Sequence, residues 1–373
     1  MNEWHYPRPE LAQHYLQLIT LGISSSLAII APRRKGKTLF ILQDLVPFAQ
    51  RNKFLPIYAS LWQNINAPHE GIITALEEAI ENLDSKLKFN RLLDAQIKKT
   101  TLSNELIGSM EVEFATNPSR PSPKELSYLE KLMGQLEKKA KGKTILLLID
   151  EVQHLVTSKE FESLTHTLRT MLDKRQGRVK SIFTGSSRHY MNILFNESQS
   201  PFYHFVETLN FPDLDEKFIE FLRKKLATEY GIITAIKPLK DAFIQLDYSP
   251  YWIMKMISQI ITFKINVPTA FDHIQNLIEI AEQFEYTAKK LKPIDCIIFL
   301  ALCDKKNPFS KELLREIDTA TEIKGIASNI QRSIKRLSEM QLISQIRKGE
   351  YYIEKPGLKN YLVQIMIKKK LTY

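Results

Sequence analysis

The most constraining stretch of the chain is Ala31-Pro32-Arg33-Arg34-Lys35-Gly36-Lys37-Thr38. Its last three residues match the phosphate-loop pattern G-x-x-x-x-G-K-[ST], and Ala31 stands where the first glycine belongs. Ser26 to Ile30 before it is an apolar run of buried-strand type, and Thr38 to Gln50 after it carries apolar residues at helical spacing. Strand, loop, helix is the order a phosphate site needs. Successive backbone N–H groups in such a turn point inward, the helix N-terminus adds partial positive charge, and Lys37 supplies a mobile cation for terminal phosphates. Residues Ala31, Pro32, Arg33, Arg34, Lys35, Gly36, Lys37 and Thr38 are therefore the candidate cradle, with the Thr38 hydroxyl placed to hold Mg²⁺.

A second constellation lies at Thr144 to Ile149, a wholly apolar β-type run that ends in Asp150-Glu151. An acidic residue at the carboxyl end of a buried strand can orient Mg²⁺ beside the loop, and a second carboxylate next to it can polarise an attacking water. Asp150 is thus the candidate metal and nucleotide residue, and Glu151 the candidate base. Val179 to Phe183 reads as a further strand ending in Thr184-Gly185-Ser186-Ser187-Arg188. A polar side chain there would face the terminal phosphate; Ser186 is the first choice and Thr184 the second. Arg188 is a candidate finger toward a neighbouring subunit's nucleotide, or an ordinary surface arginine after a turn. Gly142-Lys143-Thr144 spells the end of a phosphate loop but precedes a strand rather than a helix, so it is set aside.

Between these motifs the alternation continues. Residues 9 to 21 read as a helix opened by proline, Phe54 to Leu61 as a strand, about His69 to Leu83 as a helix, and Ser122 to about Lys141 as a helix begun by a capping box. Glu160 to Lys174 is another helix. Residues 84 to 121 have no clear assignment; the alternating Met110 to Phe114 patch is a candidate inserted strand. Strands alternating with helices imply an α/β fold with a mostly parallel sheet.

APRRKGKT, LLLIDEVQHL and IFTGSSR occur in that order, each preceded by its expected strand. This pattern resembles the AAA+ ATPases, within them the archaeal-type ATPase and replication-initiator-like branch, and in its first half the AAA+ transposition regulators. The resemblance spans about Tyr6 to Leu362 and implies a P-loop NTPase core over 1–212, a small helical lid over 213–290 and a winged helix over 291–373. It also implies ATP as substrate, and a basic lid residue near the nucleotide, for which Lys255 is the candidate beside its plainer reading as a solvated helix lysine. Two departures stand out. Ala31 replaces the loop glycine, which raises slow hydrolysis as an expectation, and 113 residues from Lys37 to Asp150 imply an insertion.

The last 82 residues read as a winged helix on their own: helices at Asp295 to Cys303, after Ser310 and at Ile326 to Met340, then strands at Leu342 to Arg347 and Tyr351 to Glu354 around a Lys348-Gly349-Glu350 turn. Ser328, Asn329, Gln331, Arg332, Lys335 and Arg336 are expected on the outward face of the third helix, with Arg347 and Lys348 at the wing, as candidate contacts to duplex DNA. From Lys292 onward there are 16 Lys plus Arg against 9 Asp plus Glu, an excess that makes up most of the chain's net charge of +10. Such a basic end also suits a protein-docking winged helix.

The 44% hydrophobic content supports folding without metals or disulfides, and Cys296 and Cys303, seven apart in an apolar helical segment, read as small core residues. The absence of a signal layout or a membrane-length apolar run leads to the expectation of a cytoplasmic protein with no membrane partner. The reading is an ATPase that uses ATP and Mg²⁺ to control DNA binding or assembly on DNA, as a homo-oligomer or with a partner protein. The alternatives are a signalling or scaffolding ATPase whose winged helix binds protein, and an adaptor that binds nucleotide with little turnover.

Overall fold

Short runs of β-branched and leucine-rich sequence build the sheet, and the helices between them cover it. The computed structural model describes residues 4–21, 24–84, 115, 117–321, 323–347 and 349–370, so the Met110–Phe114 patch and Lys348 lie outside the described residues. The chain divides into two compact units, Met1–Leu214 and Asp215–Tyr373. Dividing the second unit further at residue 290 is a proposal drawn from the sequence.

In the first unit, α1 (Pro9–Thr20) opens on proline, whose missing N–H has no partner to lose in a first turn, and buries Ala12, Tyr15, Leu16 and Ile19. Next come β1 (Ser26–Ile30), α2 (Lys37–Phe40), a π-helical segment at Ile41–Leu45, and α3 (Val46–Arg51). Then follow β2 (Phe54–Ser60), α4 (Pro68–Asp84) and α5 (Pro123–Lys139), the last begun by the Ser122/Glu125 capping box expected from the sequence. β3 (Thr144–Asp150) leads through a 3₁₀ turn at Val152–Val156 to α6 (Glu162–Asp173), and β4 (Val179–Gly185) leads to α7 (Arg188–Asn196) and β5 (Glu207–Asn210).

The sheet order is β2-β3-β4-β1-β5 and the pairings are parallel. A parallel sheet buried on both faces needs continuous apolar strands, and side chains of alternate residues go to opposite faces. Ala28, Ile30, Leu55, Ile57, Ile145, Leu147 and Ile149 accordingly share one core, while Leu27, Ile29, Tyr58, Leu146 and Leu148 share the other with Phe40 and Ile41 from the helix after the loop. Asp150 thereby falls on the face of β3 that packs toward α2. β5 was not foreseen: it has four mostly exposed residues and no apolar alternation. β4 also runs two residues past the expected Phe183, so Thr184 is a strand residue rather than part of the turn.

The second unit begins with α8 (Glu216–Tyr230), α9 (Ile236–Gln245), α10 (Pro250–Phe263), α11 (Val267–Ala281) and α12 (Phe284–Lys290). Asp215, Ser249 and Asn266 accept N-terminal amides as caps of α8, α10 and α11. Three more helices follow, α13 (Pro293–Cys303), α14 (Lys311–Ala320) and α15 (Ala327–Glu339), and then the antiparallel pair β6 (Ile343–Arg347) and β7 (Glu350–Ile353). This is the helix-helix-helix-hairpin order of a winged helix, around a core of Ile298, Phe299, Ile317, Ile330, Leu337 and Leu342. A final helix not anticipated from the sequence, α16 (Gly357–Lys370), packs Leu358 and Leu362 onto that core. Cys296 and Cys303 are free thiols, and burial pushes the Cys303 thiol up to about 11.

Candidate functional site

The loop between β1 and α2 turns on two left-handed residues, Arg34 at φ 66° and Gly36 at φ 85°. Only Gly36 reaches that region without steric cost. Ala31 is not among the positive-φ residues, so the Cβ that replaces the pattern's first glycine meets no torsional conflict. Ala31 instead hands its N–H to the Gly185 carbonyl, 3.4 Å away, which ties the loop's start to the end of β4. Lys37 is buried and its ammonium folds back onto the carbonyls of Ala31 and Pro32 at 2.6 and 2.9 Å. Burial pushes the pKa of Lys37 down, and the negative charges of Glu151 and Asp150 oppose that shift.

The sheet order places β4 between β1 and β3, so Thr184 stands between the loop strand and Asp150. Asp150 lies level with Ser60 of β2 and is 3% exposed. Its Oδ2 accepts from the Thr38 hydroxyl at 2.7 Å and the Tyr58 phenol at 2.9 Å. Its Oδ1 accepts from the Thr184 hydroxyl and from the Glu151 N–H at 3.1 Å. No basic side chain pairs with Asp150 among the described residues. Burial and the adjoining Asp150 carboxylate push the Tyr58 pKa well above its usual value, so the phenol stays a donor.

Glu151 sits one residue beyond the strand in a left-handed turn, φ 58°, and its carboxylate takes a different set of donors from Asp150's. Its Oε2 accepts from the Ser186 hydroxyl at 2.7 Å and from the Gln153 amide at 2.5 Å, and that amide also reaches Ser186 Oγ at 3.1 Å. A Cβ on Gly185 would lie 2.3 Å from Met191 Sδ and 2.6 Å from Gln153 Oε1, so glycine lets both side chains approach the strand end. Lys37, Thr38, Asp150, Glu151, Thr184 and Ser186 are thus brought to one end of the sheet. Tyr58 and Gln153 join them without having been singled out as site residues.

The other charged loop residues make their own contacts. Lys35 pairs with Asp213 at 3.0 Å, and the Arg33 guanidinium lies 4.4 Å over the Trp62 ring. Arg188 is the first residue of α7, capped by Ser187, and its guanidinium donates to Asn210 at the end of β5, 2.8 Å away. In the second unit Lys255 is exposed and lies 5.7 Å over the Tyr251 ring.

On α15, Ser328, Gln331, Arg332 and Lys335 are exposed as expected, and Asn329 is half-buried with its amide on the Lys324 carbonyl at 2.8 Å. Lys335 lies 3.8 Å from Glu339. Arg336 does not belong to that outward set. It turns inward to hold the fully buried Asp295 of α13 with two hydrogen bonds of 2.8 and 2.6 Å, pairing a carboxylate that is costly to bury unpaired. Arg347 ends β6, and its side chain, like Lys348, is outside the description.

No protein-family model and no curated protein matches the sequence. Solved structures do. The Walker-type ATPase of Pyrococcus abyssi superposes with a TM-score of 0.62 at 18% identity, covering 95% of this chain and 95% of that one. The ORC2 protein of Aeropyrum pernix superposes with a TM-score of 0.54 in its ADP form, at 13% identity over 96% of this chain and 92% of that one. The same protein in ADPNP-ADP complexes gives 0.52 at 14% identity, over 98% and 93%. No described helix is long and apolar enough to cross a membrane. The chain shares its fold, an α/β core with a parallel sheet followed by helices and a winged helix, with these ATPase and ORC2 structures over nearly its whole length, and this is the architecture that the resemblance to AAA+ ATPases implies.

Proposed function

We propose that the first unit binds ATP with Mg²⁺ and hydrolyses it, and that nucleotide state controls DNA binding or assembly on DNA by the second unit. The observation that carries this reading is the 2.7 Å contact between Thr38 and Asp150, which joins the loop to the acidic strand end beside the buried Lys37. Hydroxyl and carboxylate oxygens suit a hard cation that keeps its other positions for phosphates and water. Bound there, Mg²⁺ would neutralise charge developing on the transferred phosphoryl group. Lys37 would exchange the two loop carbonyls for phosphate oxygens, and Glu151, released from Ser186, would accept a proton from the attacking water. Ser186 would then be available to the terminal phosphate, with Thr184 holding the opposite edge of Asp150. Arg188 would have to leave Asn210 to serve a neighbouring copy.

The ORC2 comparison supports the nucleotide half of this reading through the fold alone. The exposed Gln331, Arg332 and Lys335 support the DNA half. A winged helix that docks on protein is favoured by one observation, the withdrawal of Arg336 from the basic face onto Asp295. Turnover measured with and without duplex DNA, for wild type and Glu151→Gln, tests the whole. Glu151→Gln should keep ATP and lose turnover, and Lys37→Ala should lose nucleotide; equal hydrolysis by wild type and Glu151→Gln would sink the assignment of the base. DNA affinity should fall steeply with salt if phosphates are contacted; salt-insensitive or absent DNA binding would favour the protein partner.

A further inference from the structure

The Asp150 carboxylate has about four lone-pair sites, and four donors occupy them: Thr38 and Tyr58 on Oδ2, Thr184 and the Glu151 N–H on Oδ1. A carboxylate so saturated can serve a cation or its water only if a donor turns away. The four differ in their freedom to do so. The Thr38 hydroxyl is on a half-exposed side chain in the first turn of α2 and rotates about one bond. Thr184 also rotates about one bond, but it serves the other oxygen. The Glu151 N–H is backbone. The Tyr58 oxygen is carried on a ring buried in the sheet's α2-side core, so it cannot leave Oδ2 without moving the ring. Ser60, two residues along the same face of β2, lies level with Asp150.

We propose that Tyr58 is the positioning residue for Asp150: its phenol holds Oδ2 in place while the Thr38 hydroxyl turns from that oxygen to the metal. This inference rests on the nucleotide and Mg²⁺ reading given above. Tyr58 touches neither substrate nor metal and acts through Asp150, as outer partners of metal-site carboxylates do, where their loss costs about 10- to 100-fold in metal affinity or activity.

The test is metal-linked nucleotide binding by the full chain. A fluorescent ADP analogue is titrated in EDTA and again with Mg²⁺, and the ratio of the two Kd values measures the linkage. Tyr58→Phe should keep the EDTA Kd within about twofold and lose about tenfold of the Mg²⁺ linkage. In an Asp150→Asn background the same substitution should add no further loss, because it acts through that carboxylate. Tyr58→Met, which also lacks the donor and fills the ring's space with a flexible side chain, should lose the linkage in the same direction, and it carries the test if thermal melting shows Tyr58→Phe unfolded. Wild-type linkage in the folded Tyr58→Phe protein, or an undiminished loss in the Asp150→Asn background, overturns the positioning role while leaving the nucleotide site standing. A wild-type protein that binds no nucleotide in either buffer overturns both.

Discussion

Two buried aspartates, one in each unit, invite comparison. Asp295 is fully buried and complete: the Arg336 guanidinium grips both oxygens, Ser333 donates at 2.5 Å and the Lys292 N–H at 2.9 Å. Asp150 is nearly as buried, but its donors are hydroxyls and one N–H. The first is gripped by a guanidinium; the second is held by neutral donors, with the buried Lys37 ammonium acting on it through space. A buried carboxylate is costly unless paired, so the difference separates a structural ion pair, which locks α13 to α15, from the carboxylate that the proposed function assigns to Mg²⁺. The same contrast explains why Arg336 was misplaced on the outward face: residue type and helical spacing cannot show that a carboxylate lies 41 positions upstream in sequence and directly beneath it.

Substituting each aspartate should produce opposite phenotypes. Asp150→Asn is expected to reduce Mg²⁺-dependent turnover by about 100-fold or more with a small change in melting temperature, since loss of a pre-organised charge is felt mainly at the reaction; a large stability loss with activity retained would break the comparison. Asp295→Asn should do the reverse, costing about 2–4 kcal/mol by leaving Arg336 half-buried and unpaired, as read in denaturant unfolding with nucleotide binding intact. Acid should sharpen the contrast. Burial lowers the His154 pKa although its ring hydrogen-bonds the Ile65 carbonyl, so its contribution to stability is full above the ordinary value of 6.5 and is lost as pH falls through the folded pKa. Asp295 is also held below its usual range, against the opposing effect of burial, by Arg336 and Ser333, so its contribution persists until pH falls past the ordinary 3.8. Stability followed by pH titration should therefore weaken in the first unit before the second, and His154→Gln should shrink the earlier phase, to which His189, also lowered by burial, contributes. The smallest effect concerns the loop itself: Arg34→Gly should raise stability by about 0.5–1 kcal/mol, because a side chain in the left-handed region costs about 1–2 kcal/mol and glycine's entropy returns part of that. A drop in melting temperature would show that the Arg34 side chain contributes more than its backbone costs.

Much of the first unit was legible because its chemistry sits at the ends of apolar strands. β1, β2, β3 and β4 are runs that only a doubly covered sheet would bury; Lys37 and Thr38 open the helix after the loop that leaves β1, and Asp150 ends β3 with Glu151 next. Tyr58 was not legible as a site residue, since within FLPIYAS it reads as one more strand aromatic and its partner is 92 residues away. Gln153 gave only its place two residues after Glu151. β5 carries no apolar signal because its place is set by backbone pairing with β1 rather than by side-chain burial on its own strand. The question raised by Ala31 turned on a torsion angle, which spelling does not report. In the second unit, the hairpin and the three helices were visible from caps and turn residues, whereas α16 begins on Gly357 after a proline and resembles a trailing basic segment.

The π-helical segment Ile41–Leu45 adds a consequence for reading sequences of this fold side by side. A π turn accommodates one residue more than an α turn, so a chain that runs α-helical through the same region would be one residue shorter between its loop lysine and its second strand. Asp44, inside the segment, accepts from the Arg8 N–H at 3.2 Å and bonds the His5 ring at 2.9 Å, which ties the segment to the residues just ahead of α1. An ungapped alignment would therefore keep Gly36-Lys37-Thr38 in register and displace everything from Val46 to Ser60 by one position. In a strand, one position exchanges the two faces, and Tyr58 would be compared with a residue pointing to the other core.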